Sequence, residues 1–491
     1  MIVYRAGLVI SLAGLLCLFY LSTFPTTWSD EAFTLALVRC SYSDIIRLTA
    51  TDVHPPLYYL LLKLFLAMTK PLLGEVTAAK CFSVLSLVAC CGLIAGKGKK
   101  MHGRMTAGLM LMTLFAVPQM MAYALEVRMY ATAALFVLSG YLRGVQYLRG
   151  DHSRKNVRAI VLWTLAASYT HYFACLGMGV LFLWLLIHTL CHRDTIPRKE
   201  DSRIFWAAGI AILAYLPWLV VLRRQLSTLS GGYWIEPVTR YTLNLYRQFV
   251  FGRRGMDYLL VVLPVLTCLV LWNDALHRRN YRTPLKEALF YASGFMGVLA
   301  IGVTVSYVFR PVFVDRYLVP VMMQLFLGIL ILPGLSVAGR RGWLRVVTVL
   351  AACLLALSAL YEIPARFRQE RQLTALSAPT VSFAQKLTGE DVIITTNRHI
   401  NEEMAYLSAA SCRVLGEEEP DLMRRVFKNA GTLDDASQIE TMETEGTIYF
   451  LEYNVAPFPD ITQALAGVDF VAEKEGELFI EGPVTVYRIA R

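Results

Sequence analysis

Long apolar runs decide what this chain can fold into. Ala6–Leu21, Leu181–Leu190, Leu259–Trp272 and Val346–Leu360 carry only isolated polar side chains. Roughly 20 mainly apolar residues suffice for a helix to cross a bilayer, and a helix satisfies its own backbone where no water can. Over 491 residues the chain is 56% hydrophobic and 17% charged, against about 45–50% and 25% in soluble domains. That excess, gathered into runs, excludes a soluble enzyme, a disordered chain, a fibrous repeat and a small disulfide scaffold. The sequence reads as a mainly α-helical, multi-pass membrane protein.

Eleven spans are expected, centred near residues 14, 87, 112, 137, 165, 182, 212, 266, 298, 327 and 352. The first keeps its place as an uncleaved span, because Ser22-Thr23-Phe24-Pro25 offers no small-x-small cleavage site. Segments 97–104, 148–158, 192–203, 275–287 and 338–345 hold 4, 4, 4, 4 and 3 Lys+Arg. They alternate with the remaining loops, so the positive-inside rule puts them and the N-terminus in the cytoplasm. An odd number of spans then leaves the C-terminus outside. Six of the ten cysteines, Cys17, Cys81, Cys90, Cys91, Cys268 and Cys353, fall within apolar runs and read as core residues.

Charge divides the chain in two. Residues 363–491 hold 12 basic and 21 acidic side chains, whereas residues 1–362 hold 35 and 16. A basic apolar body with an acidic polar tail argues against nucleic-acid binding. The tail, residues 363–491, reads as a small extracytoplasmic α/β domain with strands at Val392–Ile394, Ile448–Leu451 and Val484–Tyr487 and helices at Asn401–Ala410 and Asp460–Leu465. It has no phosphate-binding glycine loop, so no nucleotide cofactor is expected. Residues 1–362 form the membrane domain, with a long first outer loop at 25–75. Within that loop Leu57–Met68 is apolar but too short to cross, and Lys63 interrupts it, so it reads as an interfacial helix.

The outer segments hold the residues suited to chemistry. Asp30-Glu31 directly follow the first span. They supply either a general base with a second acid beside it or, with Ser29, the cap and first turn of a helix running to Val38. Asp52-Val53-His54-Pro55-Pro56-Leu57-Tyr58-Tyr59 sets His54 on a loop stiffened by two prolines. Glu126-Val127-Arg128-Met129-Tyr130, Thr170-His171-Tyr172-Phe173 and Asp315-Arg316-Tyr317-Leu318-Val319-Pro320 stand at the outer ends of later spans. Arg128, Arg223, Arg224, Arg253, Arg254, Arg310 and Arg316 fall on the outer side, against the positive-inside bias. They read as headgroup-facing side chains or as phosphate ligands. Gly231–Pro237, with Tyr233 and Trp234, is either an aromatic belt segment or a cover over a sugar.

Taken together these elements resemble the GT-C superfamily of membrane glycosyltransferases. The pattern is nearest to the family-39-like enzymes, the protein O-mannosyltransferases and the lipid A aminoarabinose transferases. The resemblance covers residues 1–362 and implies transfer of a sugar from a polyprenyl-phosphate-linked donor, at the outer face of the cell membrane, to a glycolipid, cell-wall polymer or protein. It implies that Asp30 is the general base and that Arg128 and Arg316 hold the departing phosphate, with inversion at the anomeric carbon. Glu31, His54, Glu126, Tyr130, His171, Tyr172 and Tyr317 would bind or orient substrate. Glu31, His54, Glu126 and His171 would alternatively hold a divalent metal ion. A different class stays open, a lipid or solute transporter or flippase of the cell envelope. Against it, the charges gather at one membrane face rather than at mid-bilayer. A non-catalytic scaffold whose tail docks partners is the third reading.

Overall fold

Apolar runs become helices here, and small residues and ion pairs decide how the helices meet. A computed structural model describes residues 1–193, 198–228, 235–252, 265, 282–336, 342–416 and 421–490. Among them seven helices are long and apolar enough to cross a membrane, or eight if one bent pair is a single span. Every expected span centre except the one near residue 266, which lies outside the described residues, falls in a helix. The expected count of eleven is not reproduced. Arg154–Ser168 has only 15 residues. The stretch from Glu75 to Ala116 is helical over 42 residues, but Gly103, at φ +87° and ψ 167°, breaks it within the basic segment 97–104.

The chain forms two compact units. The first comprises Met1–Leu21, Val53–Tyr58 and Lys80–Phe367; the second comprises Ser22–Asp52, Tyr59–Ala79 and Arg368–Arg491. In the first, Ile2–Leu21 packs on Lys99–Ala116 through glycines. A Cβ on Gly7 would lie 2.6 Å from the Gly108 carbonyl oxygen, and one on Gly108 would lie 2.7 Å from Tyr4 Cα. Such contacts let helices associate where lipid gives them no hydrophobic incentive. Further along, Arg149 donates to both oxygens of the buried Glu287, at 2.6 and 2.7 Å. His102 lies 3.4 Å from the same carboxylate and 3.2 Å from Tyr291 Oη. Glu287 and its two partners, Arg149 and His102, thus tie three helices together.

The second unit holds a six-stranded sheet in the order β3-β2-β1-β4-β6-β5. The strands are β1 (Val392–Thr395), β2 (Ser411–Leu415), β3 (Ala430–Leu433), β4 (Ile448–Tyr453), β5 (Val471–Phe479) and β6 (Pro483–Ala490). β1 to β4 pair in parallel, and β6 pairs antiparallel with β4 and β5. β1 is buried along its whole length, as a central parallel strand is. Ile394, Phe450, Ile448, Leu465 and Ile489 form the core with their neighbours. The tail folds with Ser22–Asp52 and Tyr59–Ala79, which include most of the long first loop. There Lys63 donates to the Val38 carbonyl at 3.0 Å, so the lysine that interrupts the apolar run finishes the helix Ser29–Arg39.

Candidate functional site

The sequence-selected residues divide between the two units. His54, Glu126, Arg128, Tyr130, His171, Tyr172, Arg316 and Tyr317 belong to the first, and Asp30 and Glu31 to the second.

In the first unit His171 is the hub. It caps the helix Tyr172–Cys191 by accepting the Phe173 N–H at Nδ1, 3.2 Å away, which leaves the ring proton on Nε2. Its ring lies 5.9 Å from His54, 5.5 Å from Tyr130 and 5.4 Å from Tyr317. All four are buried. The Pro55–Pro56 loop is anchored to the same turn, because Leu57 N–H donates to the Tyr169 carbonyl at 2.9 Å. Burial drives the His171 imidazole well below its usual pKa, and His54, Arg128 and Arg316 push it in the same direction. His171 is therefore neutral at physiological pH, with both arginines within its electrostatic reach.

The local backbone explains why the arginines are there. Pro118–Leu125 and Tyr130–Leu148 meet at a bend of 115°, and the four residues between them carry Glu126 and Arg128. Ser83 Oγ pins this turn by donating to the Glu126 carbonyl at 2.6 Å. Arg316 sits in a single 3₁₀ turn, Asp315–Leu318, and its N–H donates to Asp315 Oδ1 at 2.7 Å. Three helices, starting at Tyr130, Tyr172 and Val319, thus begin around His171. Each helix N-terminus carries unsatisfied N–H groups and a positive dipole end. Two guanidinium groups and three such ends suit an anion. Arg128, only 3% exposed, forgoes hydration worth several kcal/mol.

Other candidates are placed elsewhere. Tyr172 is bound by Gln225 and, at 3.1 Å, by Trp218 Nε1. Arg223 and Arg224 are exposed on the helix Arg198–Thr228, and Arg310 donates to the Leu226 carbonyl. Arg253, Arg254 and Gly231–Trp234 lie outside the described residues. Two residues of the first unit are absent from the sequence-selected set. Tyr123 has Glu126, Tyr130, Asp315 and Arg316 in its electrostatic surroundings. Lys80, 3% exposed, stands one helical turn before Ser83. A lysine inside an otherwise apolar run was the available signal.

In the second unit the helix Ser29–Arg39 has Trp28 as its N-cap, with no side chain capping it. The expected cap by Ser29 or Asp30 does not form. Ser29 instead donates its N–H to Glu481 at 2.8 Å, and its hydroxyl lies 3.1 Å from His399 Nδ1. Glu481 holds a left-handed φ of +56° in the turn between β5 and β6, a conformation costing roughly 1–2 kcal/mol for a non-glycine residue. Asp30 and the buried Glu31 occupy the first turn. Burial pushes the Glu402 carboxyl up; Arg398, 2.7 Å away, pulls it back, while Asp30 adds to the rise. Glu403 is driven well above the usual carboxylate range, first by burial and then by Glu481 and Glu31. Residues from the start and the end of the chain thus share one acidic centre. Among the described residues no three His, Cys, Asp or Glu side chains form a metal-binding set, and the four expected to do so are split between the units.

No protein-family model matches the chain, and no curated protein matches it by sequence. Solved structures do. ArnT from Cupriavidus metallidurans bound to undecaprenyl phosphate superposes with a TM-score of 0.64 at 14% identity, over 98% of this chain and 97% of that one. The apo state of the same protein gives 0.61 at 16% identity, with the same coverage. An Archaeoglobus fulgidus oligosaccharyltransferase in complex with zinc and sulfate gives 0.41 at 11%, over 90% of this chain and 68% of that one. The ArnT likeness shows the fold, which is ArnT-like along nearly the whole chain.

Proposed function

We propose that the protein is a membrane glycosyltransferase that moves a sugar from a polyprenyl-phosphate-linked donor to an acceptor hydroxyl at the outer face of the cell membrane. The observation that carries this reading is the joint action of Arg128 and Arg316 on a neutral, buried His171, where three helices begin. That centre suits a phosphate whose charge grows as the sugar leaves. The ArnT structure with undecaprenyl phosphate supports a lipid-phosphate partner. The five basic segments support a cytoplasmic N-terminus and an extracytoplasmic α/β domain.

Asp30 takes the acceptor proton while the acceptor oxygen attacks the anomeric carbon. The bond from that carbon to the phosphate oxygen breaks on the opposite side, which inverts the configuration. Arg128 and Arg316 stabilise the departing phosphate, a role in which one preorganised donor contributes roughly 10²–10³-fold. His171, being neutral, donates through Nε2–H without placing a third charge beside the two arginines. Tyr130, Tyr317 and His54 shield this centre from water, and low local polarity strengthens its charge interactions. Glu31 and Glu126 orient the substrate, and Tyr172, held by Gln225 and Trp218, positions the start of its helix.

The test is release of free polyprenyl phosphate from a panel of polyprenyl-phosphate sugars, followed by mass spectrometry with membrane extract as the acceptor source. Release by wild type and not by Asp30→Asn supports transfer with Asp30 as base. Equal release by both removes Asp30 from that role. Release by neither, with both proteins folded and the panel shown complete against other transferases, overturns the reading.

A further inference from the structure

The second unit contains a cavity of about 890 Å³ that no step of sugar transfer uses. Its volume lies in the range of small-molecule sites, roughly 300–1,000 Å³. It lies among the helices Ser29–Arg39, Tyr42–Thr49, Arg398–Leu407 and Asp421–Val426. Arg39, Arg47, Arg425 and Lys428 line it, against the single carboxylate of Asp44. Arg425 and Lys428 come from residues 363–491, which hold 12 basic and 21 acidic side chains, and Arg39 and Arg47 from the first loop.

The fate of each polar group shows what ligand would be recognised. The neutral donors are spent internally. Ser41 Oγ donates to Asp44 at 2.6 Å, Ser408 Oγ to the Met404 carbonyl at 2.8 Å, and the Asn429 amide to the Ser408 and Ala410 carbonyls. A neutral polyol would meet few groups able to bind it. Of the cations, Arg39 pairs with Glu75 and lies 4.7 Å over the Tyr406 ring, forming one wall. Arg425 pairs with the exposed Asp421. Arg47 and Lys428 make no ion pair among the described residues. Lys428 is close enough to bear electrostatically on Cys40, another lining residue.

We infer that this cavity binds an anionic ligand through a phosphate monoester, with Arg47 and Lys428 as its principal contacts and the Arg39–Tyr406 wall beside it. The inference stands apart from the transferase reading. Guanidinium suits a phosphate through paired N–H donors, and a doubly charged group matches the two uncommitted cations. The phosphate belongs either to a lipid headgroup or to a soluble phosphate ester.

Titration calorimetry on the full chain in non-ionic detergent, with glycerol 3-phosphate as probe, tests the inference. Binding should weaken at least tenfold in Arg47→Ala/Lys428→Ala, survive in the charge-preserving Arg47→Lys/Lys428→Arg, and be unchanged in Arg316→Ala. A second arm repeats the titration in nanodiscs with and without phosphatidic acid. Competition by that lipid identifies a lipid source, and undiminished binding a soluble one, both within the inference. Absence of binding by wild type at millimolar probe overturns it. So does an isotherm that the double alanine variant leaves intact, or one lost only in Arg316→Ala.

Discussion

The two units build opposite electrostatic centres by the same device, burial at the start of helices. Around His171 the first unit gathers two arginines and three helix N-termini on a ring kept neutral. At the start of the helix Ser29–Arg39 the second unit gathers Asp30, Glu31, Glu402, Glu403 and Glu481. A buried charge persists only where something compensates it. In the first centre part of the compensation is internal, through Asp315 beside Arg316, and the proposed lipid phosphate would add to it. In the second, part is internal, through Arg398 and the Ser29 N–H, while burial, Glu481 and Glu31 push the Glu403 carboxyl well above its usual range. The contrast separates a cationic centre proposed to receive a phosphate from one crowded with carboxylates.

The sharpest way to break this contrast is at Asp30. Asp30→Asn should lower transfer by about 10³-fold, in line with the roughly 10²–10⁴-fold contribution of a positioned base. Single-turnover rates check it, and a loss under tenfold would move the base elsewhere. Next, Arg316→Ala should cost about 10²–10³-fold in kcat, with Arg316→Lys recovering part of it. Equal rates for the alanine and lysine variants would show that fork geometry and charge are both irrelevant there.

Stability measurements probe the difference more gently. Glu403 has a raised pKa in the folded chain, so its contribution is fully present below the ordinary carboxyl range near about 4.3. It is lost as pH rises through the folded value. Glu403→Gln should therefore raise the thermal midpoint at pH 8, by about 1–3 kcal/mol of stability, with the gain vanishing at pH 4. A destabilised variant at pH 8 would mean that the carboxylate is paired. His171 has the opposite sign. Its folded pKa is depressed, so the unfolded chain binds the extra proton below about pH 6.5, and stability falls as pH drops through that range. His171→Gln should flatten this slope by about 1 kcal/mol per pH unit or slightly more. An unchanged slope would show that the ring is protonated when folded.

The first centre was legible in sequence because its residues lie in short motifs at helix starts, where local spacing carries the information. His54-Pro55-Pro56, Glu126-Val127-Arg128 and Asp315-Arg316-Tyr317 each announce themselves. What the sequence obscured is Tyr172, whose partners Gln225 and Trp218 lie on another helix. The second centre was half legible. Asp30 and Glu31 stand out, but nothing in the sequence around Glu402 and Glu403 shows that their helix is buried against Ser29–Arg39. In the sheet, β1, β4 and β6 were readable as apolar runs. β2 was hidden by Arg413, β3 by Gly431, and β5 by Glu473, Lys474, Glu475 and Glu477. Charges suit an edge strand, and they also erase its signature.

The shared acidic centre also fixes an order of events in biosynthesis. Ser29 leaves the ribosome early, but His399 and Glu481, which it contacts, lie 370 and 452 residues later. At about 5–20 residues per second, tens of seconds separate the first carboxylates from the helix that completes their surroundings. A chain halted before residue 398 would carry every span and both arginines, yet leave Asp30 without its setting. In the proposed mechanism, transfer would await the residues that bring His399 and Glu481 to Ser29.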